Sequence, residues 1–527
     1  MPLFCAVLSG ILYPLALAPF RAWPISFFCI APLFFALFRV KGRAAAFLTG
    51  GLFGLFFACG TGYWLYESIV SQYEKSPATA AWFLALCVGL PHFLVYGLFG
   101  LSFRLLRRPG LFFAAAVAPA LWVLAEYSKA LIPILIPWGL LGYASLGLLP
   151  YAQAADLAGV FGLSFLLAGA NSLVASLLSG LFRSREHPAG RPDPSRRGAA
   201  LLLALFVAGP LVYGMLSLGL WRARLSRIPQ SERFAVTLVQ GNHSARERWS
   251  GMGFYGRVKT YLSMSGALGT HDPGADRATG APARQPSGTH PPRIIVWPET
   301  VLNSEPDLTD ALFSEIVRDI GPDAFLAVGG LRKGEPGEDG SYNTAYFISG
   351  LGRVTAYDKH ILLPYAESAP AGKVLGDYYN APHRFLPGIG RPATDSAVGM
   401  VGASICLEAL YPGYVARAAR RGARLLFNMS NDTWFGDSTM PHLHLDANRM
   451  RAIENRRYLL RAGNSGFCAV IAPTGEVAVK SRLFTRQRVD GEAAFLSGRS
   501  LYTLLGDWIV LASLLISALA AWKTLRE

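Results

Sequence analysis

The stretch Met400-Val401-Gly402-Ala403-Ser404-Ile405-Cys406-Leu407-Glu408 joins an apolar run to a thiol and a carboxylate. The run Met400–Ile405 has the pattern of a buried strand, and residues 408–422 are typical of a helix. A sharp turn between a strand and a helix would expose the Cys406 side chain and present backbone N–H groups beside it. The stretch therefore predicts an α/β domain with a nucleophilic cysteine at the end of one strand.

Two further stretches place reactive side chains at or near the ends of β-rich runs: Val296-Trp297-Pro298-Glu299-Thr300 and Tyr357-Asp358-Lys359-His360. A free thiol is only a few per cent ionised near neutral pH, so the cysteine needs a base, and Glu299 can take its proton. Lys359 would stabilise the thiolate and the oxyanion of a tetrahedral intermediate, an effect worth roughly 3 kcal/mol per well-placed donor. We therefore predict acyl transfer through a thioester.

The order Glu299, Lys359, Cys406, with Trp-Pro-Glu and a strand-ending cysteine, resembles the nitrilase (carbon–nitrogen hydrolase) superfamily. The segment 223–497 alternates strand and helix patterns, and we expect a helix at 442–461 with Glu454 on an outer face. The other predicted strands lie at 234–241, 294–297, 324–331, 342–349, 354–361, 425–429, 467–472, 476–480 and 492–496. The size and alternation suit the αββα sandwich of that superfamily.

The chain is too apolar for a soluble enzyme of 527 residues, with 52% hydrophobic and 16% charged residues. A bilayer of ~30 Å hydrocarbon thickness requires roughly 17–25 apolar residues per helix. Eight segments fit: 3–20, 24–39, 45–66, 81–103, 111–131, 152–182, 199–220 and 504–522. The first two are short and interrupted by proline, which is also compatible with a tilted or broken hairpin. We expect a multi-pass α-helical membrane domain of about eight transmembrane helices plus an α/β nitrilase-like sandwich.

Basic residues predict the orientation of these helices, because short basic loops stay in the cytoplasm. The cations follow the second, fourth, sixth and eighth segments: Arg39, Lys41, Arg43, Arg104, Arg107, Arg108, Arg183, Arg185, Arg191, Arg196, Arg197, Lys523 and Arg526. Both termini are therefore expected in the cytoplasm and the segment 223–497 in the periplasm. These loops carry most of the net charge of +15, so no nucleic-acid partner is needed to explain it.

Only two of the six cysteines, Cys406 and Cys468, lie in the predicted external domain. No disulfide framework can be read from two such residues. Cys468 lies in an apolar strand pattern, which favours a packing role. Cys406 therefore remains the candidate nucleophile.

Seven helices, a nitrilase-like domain and a closing helix together resemble the apolipoprotein N-acyltransferase family of bacterial inner membranes. Further motifs shared with that family are Leu238–Asn242 followed by Trp249, Leu362–Glu367, Asn431–Asp437, Arg449–Ala452 and Arg461–Gly466. The resemblance covers the whole chain and implies three domains: 1–222, 223–497 and 498–527. Leu407 departs from the pattern, because the family usually carries an aromatic residue directly after the nucleophile. If that ring shapes the acyl pocket, Leu407 would alter donor preference.

The resemblance implies a two-step reaction and its partners. Cys406 takes an acyl chain from a membrane phospholipid, and the α-amine of an S-diacylglyceryl-cysteine at an apolipoprotein N-terminus then attacks the thioester. Moving a sixteen-carbon chain into water would cost about 12 kcal/mol at ~0.8 kcal/mol per CH₂, so both lipid substrates must reach the thiol from the bilayer. We expect no cofactor, no metal, and a monomer in the bacterial inner membrane.

Several residues have candidate supporting roles. We expect Glu367 to orient Lys359 and Glu408 to support the site electrostatically. Trp249, Trp434 and Phe435 are candidates for the acyl-chain pocket or a lid, with core packing as an equal alternative. The segment Leu363–Phe385 is a candidate arm that closes over substrate. His442 and His444 have no third ligand cluster in the sequence, so they are interpreted as ordinary surface or core residues.

Three alternatives remain open. A membrane-tethered nitrilase-type amidase would use the same three residues with water as acceptor. A transporter or lipid flippase is disfavoured because the spans carry few charges, with Glu67, Glu126 and Asp156 as the main candidates near span ends. A receptor or scaffold is disfavoured by the complete set of reactive residues.

Overall fold

The computed structural model describes residues 1–108, 110–132, 134–179, 194–244, 253–266, 292–302, 305–306, 310–368 and 384–526. They form two compact units. The helical unit comprises Met1–Leu220, Ser438–Met450 and Ser500–Glu527, and the sheet unit comprises Trp221–Asp437 and Arg451–Arg499. The segment 265–292, whose sequence is rich in Gly, Ala, Pro, Thr and His and is typical of a solvated insertion loop, lies almost entirely outside the described residues.

The helical unit consists of α-helices joined by short 3₁₀ and π turns. The helices are Pro2–Ala16, Ala31–Arg39, Arg43–Gly62, Trp64–Glu67, Pro77–Phe83, Leu90–Leu106, Ala118–Leu131, Leu149–Ala152, Ala155–Ser179, Pro194–Ser226, Leu501–Leu505 and Trp508–Arg526. The helix Pro194–Ser226 continues from this unit into the sheet unit.

Among the described residues, five helical segments are long and apolar enough to cross a membrane. They are Arg43–Gly62, Pro77–Leu106, Ala155–Ser179, Ser195–Ser226 and Trp508–Arg526. The segments Pro2–Ala16 and Trp23–Arg39 are apolar but shorter, and Ala118–Leu131 has only 14 residues. The expected count of eight therefore stays a prediction.

Glycine allows two of the long helical segments to pack closely. A Cβ atom at Gly50 would lie 2.0 Å from the carbonyl oxygen of Tyr96, and one at Gly100 would lie 2.3 Å from that of Ala46. Such contacts exclude any larger residue, as at close helix pairs in membranes.

A buried carboxylate joins three parts of the helical unit. Glu126 is 0% exposed inside the helix Ala118–Leu131. Its Oε1 atom accepts hydrogen bonds from the Tyr13 hydroxyl at 3.1 Å and the Leu141 N–H at 2.7 Å. These donors offset part of the cost of burying the charge.

The sheet unit contains two six-stranded sheets. The strands are β1 (Arg233–Gln240), β2 (Arg293–Val296), β3 (Ala324–Lys333), β4 (Ser341–Ser349), β5 (Val354–Asp358), β6 (Ala393–Ser396), β7 (Gly399–Ile405), β8 (Leu426–Ser430), β9 (Leu459–Gly463), β10 (Ala469–Ile471), β11 (Val477–Lys480) and β12 (Gln487–Ala494). Their orders are β12-β1-β2-β3-β4-β5 and β11-β10-β9-β8-β7-β6.

The centre of each sheet is parallel. The strands β1, β2 and β3 run parallel in one sheet, and β7, β8 and β9 in the other. Parallel strands are normally covered on both faces, which agrees with the complete burial of β8 and β9. Their carboxyl ends lead directly into the loops that carry the candidate site.

Most predicted strands are present, with some differences. The strands β6 and β9 were not predicted, β5 ends at Asp358 rather than at residue 361, and β12 begins at Gln487 rather than at residue 492. The polar sequence of β6 and of the first part of β12 lacks the apolar run on which the prediction depended.

Two helix predictions are wrong in their bounds. The predicted helix at 408–422 is a 3₁₀ turn, Cys406–Leu410, followed by a separate helix, Pro412–Arg420. Tyr411 is extended between them, as the residue before a proline often is. The predicted helix at 442–461 is Met440–Asn455, and the residues beyond it enter β9.

Glu454 is not on an outer face. Both Arg451 and Glu454 are 0% exposed, and Arg451 Nε lies 2.6 Å from Glu454 Oε2. Arg451 also donates a hydrogen bond to the carbonyl oxygen of Ala409 at 3.0 Å. A buried pair three residues apart has the same sequence pattern as an exposed one, so the sequence did not distinguish them.

Candidate active site

Glu299 follows β2 and is held by the neighbouring strand β3. The Gly329 N–H donates to the carbonyl oxygen of Pro298 at 3.0 Å, and the Val301 N–H donates to that of Gly329 at 2.7 Å. A Cβ atom at position 329 would lie 2.5 Å from Glu299 Cα. Glycine is therefore required for this close approach, which fixes the backbone that carries the carboxylate.

Lys359 directly follows β5 and is 1% exposed. Its N–H donates to the carbonyl oxygen of Asn343 at 2.8 Å, and its own carbonyl accepts from the Gly388 N–H at 2.8 Å. Both bonds fix the backbone, so the lysine side chain starts from a defined position.

Cys406 directly follows β7 and has a backbone φ of +52°. A residue other than glycine rarely adopts this conformation, and it is costly unless the surroundings enforce it. The Asn428 side-chain amide donates to the carbonyl oxygen of Cys406 at 3.2 Å. The strand therefore ends in a sharp turn at the thiol, as the sequence predicts, but the expected exposure of the side chain is wrong, because Cys406 is only 5% exposed.

Lys359 lies between two carboxylates. Its Nζ atom is 3.4 Å from Glu299 Oε1 and 2.8 Å from Glu367 Oε2. The Asn343 amide donates to both carboxylates, at 2.7 Å to Glu299 and 2.9 Å to Glu367. The Asn431 N–H adds a bond of 2.8 Å to Glu299 Oε2. These contacts keep Glu299, Lys359 and Glu367 together in a nearly water-free site.

Electrostatic interactions connect this cluster to the thiol. Burial, followed by the charge of Glu299, raises the pKa of the Cys406 thiol above its ordinary value, while Lys359 lowers it. Burial disfavours the charged form of Lys359, but Glu367 and Glu299 outweigh this and raise its pKa. These shifts favour a neutral thiol and a charged Lys359, so a reaction at this thiol would require a base to remove its proton.

Glu408 has a different set of partners. One of its oxygens accepts from the N–H groups of His360 at 2.8 Å and Ile361 at 3.0 Å. The other accepts from the Ile405 N–H at 2.8 Å and the Tyr357 hydroxyl at 2.7 Å. Burial raises the pKa of Glu408, and these donors counteract it. Glu408 thus connects the loop after β5 to the end of β7.

A buried polar network lies next to the cysteine turn. Arg461 Nη2 is 2.5 Å from Asp432 Oδ2, and both side chains are 0% exposed. Arg461 also donates to the Asn428 side-chain oxygen. Because Asn428 in turn donates to the Cys406 carbonyl, the network orients the turn.

The remaining predicted site residues occupy varied positions. Leu407 and Phe435 are 2% and 1% exposed, Trp434 is half-buried, and Trp249 lies outside the described residues. Most of the predicted arm Leu363–Phe385 also lies outside them, although Glu367 at its start is described. The structure therefore assigns no acyl-chain contact to these side chains.

Sequence interpretation missed Asn343, Asn428, Tyr357 and Tyr414. Asn343 and Asn428 lie within the apolar strands β4 and β8 and are 1% and 0% exposed. An amide inside a buried strand needs hydrogen-bond partners, so its position was a usable signal. The Tyr357 hydroxyl lies 2.7 Å from that of Tyr414, a contact that the sequence does not indicate.

Within the described part of the chain, no group of three or more His, Cys, Asp or Glu side chains could hold a metal ion. The groups gathered at the candidate site are the Cys406 thiol, the Lys359 ammonium, carboxylates and amides.

Comparison with known proteins gives matches over both halves of the chain. Residues 237–492 match the carbon–nitrogen hydrolase family model, and residues 9–173 match the model for the N-terminal domain of apolipoprotein N-acyltransferase. The apolipoprotein N-acyltransferase of Geobacter metallireducens is 31% identical over 98% of this chain and 95% of its own length. The protein of that name from Azotobacter vinelandii is 31% identical over 99% of this chain and 94% of its own.

The two sheets and the match over residues 237–492 define a nitrilase-like α/β domain attached to a helical, apolar region. The chain belongs to the apolipoprotein N-acyltransferase family. It is accordingly an acyltransferase, and its apolar helices indicate a protein of the bacterial inner membrane.

Proposed function

We propose that this enzyme moves a fatty acyl chain from a membrane phospholipid to the α-amine of the N-terminal S-diacylglyceryl-cysteine of apolipoproteins. The intermediate is a thioester on Cys406. The names of the relatives support the acceptor. The observation that carries the mechanism is the buried Glu299–Lys359–Glu367 cluster, whose charges act on the Cys406 thiol.

The first half-reaction transfers the acyl chain to the enzyme. Cys406 Sγ attacks the ester carbonyl carbon of the phospholipid while Glu299 takes the thiol proton. Lys359 stabilises the oxyanion of the tetrahedral intermediate. The carbon–oxygen ester bond then breaks, and the leaving glycerol oxygen takes the proton from Glu299. The products are a thioester and a lysophospholipid.

The second half-reaction uses the same groups in the same order. The uncharged α-amine of the acceptor attacks the thioester carbonyl carbon, and Glu299 takes a proton from the nitrogen. The carbon–sulfur bond breaks, and the Cys406 sulfur is protonated again by Glu299. The result is an amide on the acceptor and the starting enzyme. Glu367 holds Lys359 in place throughout, and Glu408 holds the two loops that carry Lys359 and Cys406.

The proposed setting is the outer face of the inner membrane. We propose eight transmembrane helices, both termini in the cytoplasm, and a catalytic domain at 223–497 in the periplasm between 1–222 and 498–527. The alternation of basic loops supports this orientation. A reporter that is active only outside the cytoplasm should be active when fused after Ser226 and inactive after Arg197. The opposite pattern would overturn the orientation.

The identity of the acceptor can be tested with the purified full-length enzyme. Incubation with phospholipid and a diacylglyceryl lipopeptide should release lysophospholipid and N-acylated lipopeptide in equal amounts. Without lipopeptide, lysophospholipid should stop at one equivalent per enzyme, because the thioester has no acceptor. Continued release of lysophospholipid and free fatty acid would identify water as acceptor and support the amidase alternative instead.

A further inference from the structure

The sheet unit carries a cluster of arginines apart from the Cys406 site. A surface pocket of about 460 Å³ is lined by Ala419, Gly422, Arg457, Ser497, Gly498 and Arg499. Arg457 is 2% exposed and donates to the carbonyl oxygens of Ala423 at 2.8 Å and Gly498 at 2.5 Å. It therefore joins the two loops that form the pocket walls.

Arg499 lines the same pocket as Arg457, and the charges of Arg224 and Arg424 also act on the Arg457 guanidinium. Arg224, Arg424 and Arg499 are exposed. Burial and then these three charges lower the pKa of Arg457 to about 10. In the part of the chain that the structure describes, none of the four forms an ion pair with a carboxylate. The like charges of these arginines repel that of Arg457, and an anion in the pocket lined by Arg457 and Arg499 would relieve that repulsion.

The positions of these arginines along the chain indicate which anion would bind them. Arg224 lies in the last turn of the candidate membrane helix Ser195–Ser226, and Arg499 shortly precedes the candidate helix Trp508–Arg526. Residues at the ends of membrane helices lie at the level of the lipid head groups. In the proposed orientation this side of the membrane should be poor in cations. The preference of basic residues for the cytoplasmic side therefore does not account for these arginines, and another role is needed to explain them.

We propose that the arginine cluster Arg224, Arg424, Arg457 and Arg499 binds the phosphodiester head group of an anionic membrane phospholipid. The proposal rests on the proposed membrane setting but not on the chemistry at Cys406. Guanidinium groups bind phosphate oxygens through paired N–H donors, and Ser497 supplies a hydroxyl at the pocket wall. Arg457 acts by positioning the loop of Gly498 and Arg499.

The cluster should prefer phosphatidylglycerol to phosphatidylcholine. Both carry a phosphodiester, but the choline cation of the second would meet uncompensated arginines, whereas glycerol adds no charge. Each exposed arginine near a membrane surface should contribute roughly fivefold to the affinity for an anionic lipid. Raised salt should weaken the interaction because the arginines involved are exposed.

The test uses the full-length chain in detergent with Cys406→Ala, so that no bound lipid is consumed. Native mass spectrometry measures the apparent affinity for phosphatidylglycerol and for phosphatidylcholine. Arg424→Gln/Arg499→Gln should weaken phosphatidylglycerol binding by about 25-fold and leave phosphatidylcholine binding within about twofold of the parent. The variant Arg424→Lys/Arg499→Lys keeps the charge and should recover most of the affinity.

A matched control removes the same charge elsewhere on the sheet unit. Arg318 and Arg353 have side chains that are 72% and 58% exposed, and both already pair with carboxylates. Arg318→Gln/Arg353→Gln should leave phosphatidylglycerol binding unchanged. Equal losses in both double variants, or no loss in the cluster variant, would overturn the proposal. Displacement of the lipid by millimolar inorganic phosphate would also overturn it, because the pocket would then take free phosphate.

Discussion

Glu299 and Glu408 are both buried carboxylates in the sheet unit, but their partners differ. Glu408 is 0% exposed and accepts from three backbone N–H groups and the hydroxyl of Tyr357. Glu299 is 6% exposed and accepts from the side chains of Lys359 and Asn343 and from one backbone N–H. Burial alone therefore does not identify a catalytic carboxylate.

The difference lies in what each carboxylate can do with a proton. The four donors of Glu408 match the acceptor capacity of a carboxylate, so the group is fixed as a structural acceptor. Glu299 acts electrostatically on the Cys406 thiol and lies beside a fixed cation. We therefore propose proton transfer for Glu299 and loop positioning for Glu408.

The largest expected effect comes from Glu299→Gln. The amide has nearly the same size but cannot accept the thiol proton, and general-base catalysis typically contributes 10²–10⁴-fold. We expect kcat for acyl transfer to fall about 1,000-fold, with a free energy of unfolding within about 1 kcal/mol of the parent. Steady-state kinetics and chemical unfolding measure both. A variant that keeps more than a tenth of the activity would remove Glu299 from the role of base.

Glu408→Gln should have the opposite effect, with a larger loss of stability and a smaller loss of activity than Glu299→Gln. One side of the new amide is a donor and would face the N–H of Ile405 or the hydroxyl of Tyr357, so we expect a loss of about 1–3 kcal/mol in the free energy of unfolding. Activity should fall by about tenfold at most, because the loops move but the base remains. A loss of activity as large as that of Glu299→Gln, with stability unchanged, would contradict the assignment.

The pH dependence of unfolding provides a second test of the role of Glu408. Because the pKa of Glu408 is raised above its ordinary value of 4.5, the folded protein holds this proton more tightly than the unfolded one. The associated stability is present below pH 4.5 and is lost as pH rises through the folded pKa. Glu408→Gln lacks this titration, so the stability difference between parent and variant should be largest at low pH.

The smallest expected effect comes from Cys468→Ala. Burial raises the pKa of the Cys468 thiol to about 12, and its Sγ donates weakly to the carbonyl oxygen of Gly463 at 3.4 Å. We expect activity within about twofold of the parent and a loss of about 1 kcal/mol in stability from the small cavity. An inactive but folded Cys468→Ala variant would show that Cys406 is not the only thiol involved in transfer.

The sequence predicted the features that depend on local pattern. Glu299 and Cys406 follow apolar runs that form β2 and β7, and Lys359 directly follows β5. Their approach to one another is not a local feature, because β2 and β5 are separated by β3 and β4 in one sheet, while β7 lies in the other sheet. Glu367 was also predicted to contact Lys359, and it lies 2.8 Å from it.

The features that depend on distant partners were not predicted. Asn343 bridges Glu299 and Glu367 because of its register in β4, and strand register is decided by pairing rather than by local sequence. Arg451 and Glu454 have the spacing of an exposed helical pair, yet tertiary packing buries both. The split at Tyr411 could have been expected from Pro412, whose missing N–H favours a new helix start.

We propose that Cys406 carries the acyl group. The most direct test is intact-mass analysis of the full-length enzyme incubated with phospholipid and no acceptor. The parent and Cys468→Ala should each gain the mass of one acyl chain, mapped by peptide analysis to Cys406, and lose it when diacylglyceryl lipopeptide is added. Cys406→Ala should gain nothing and form no product. Acyl transfer by folded Cys406→Ala, or an acyl group mapped to another residue, would contradict the account.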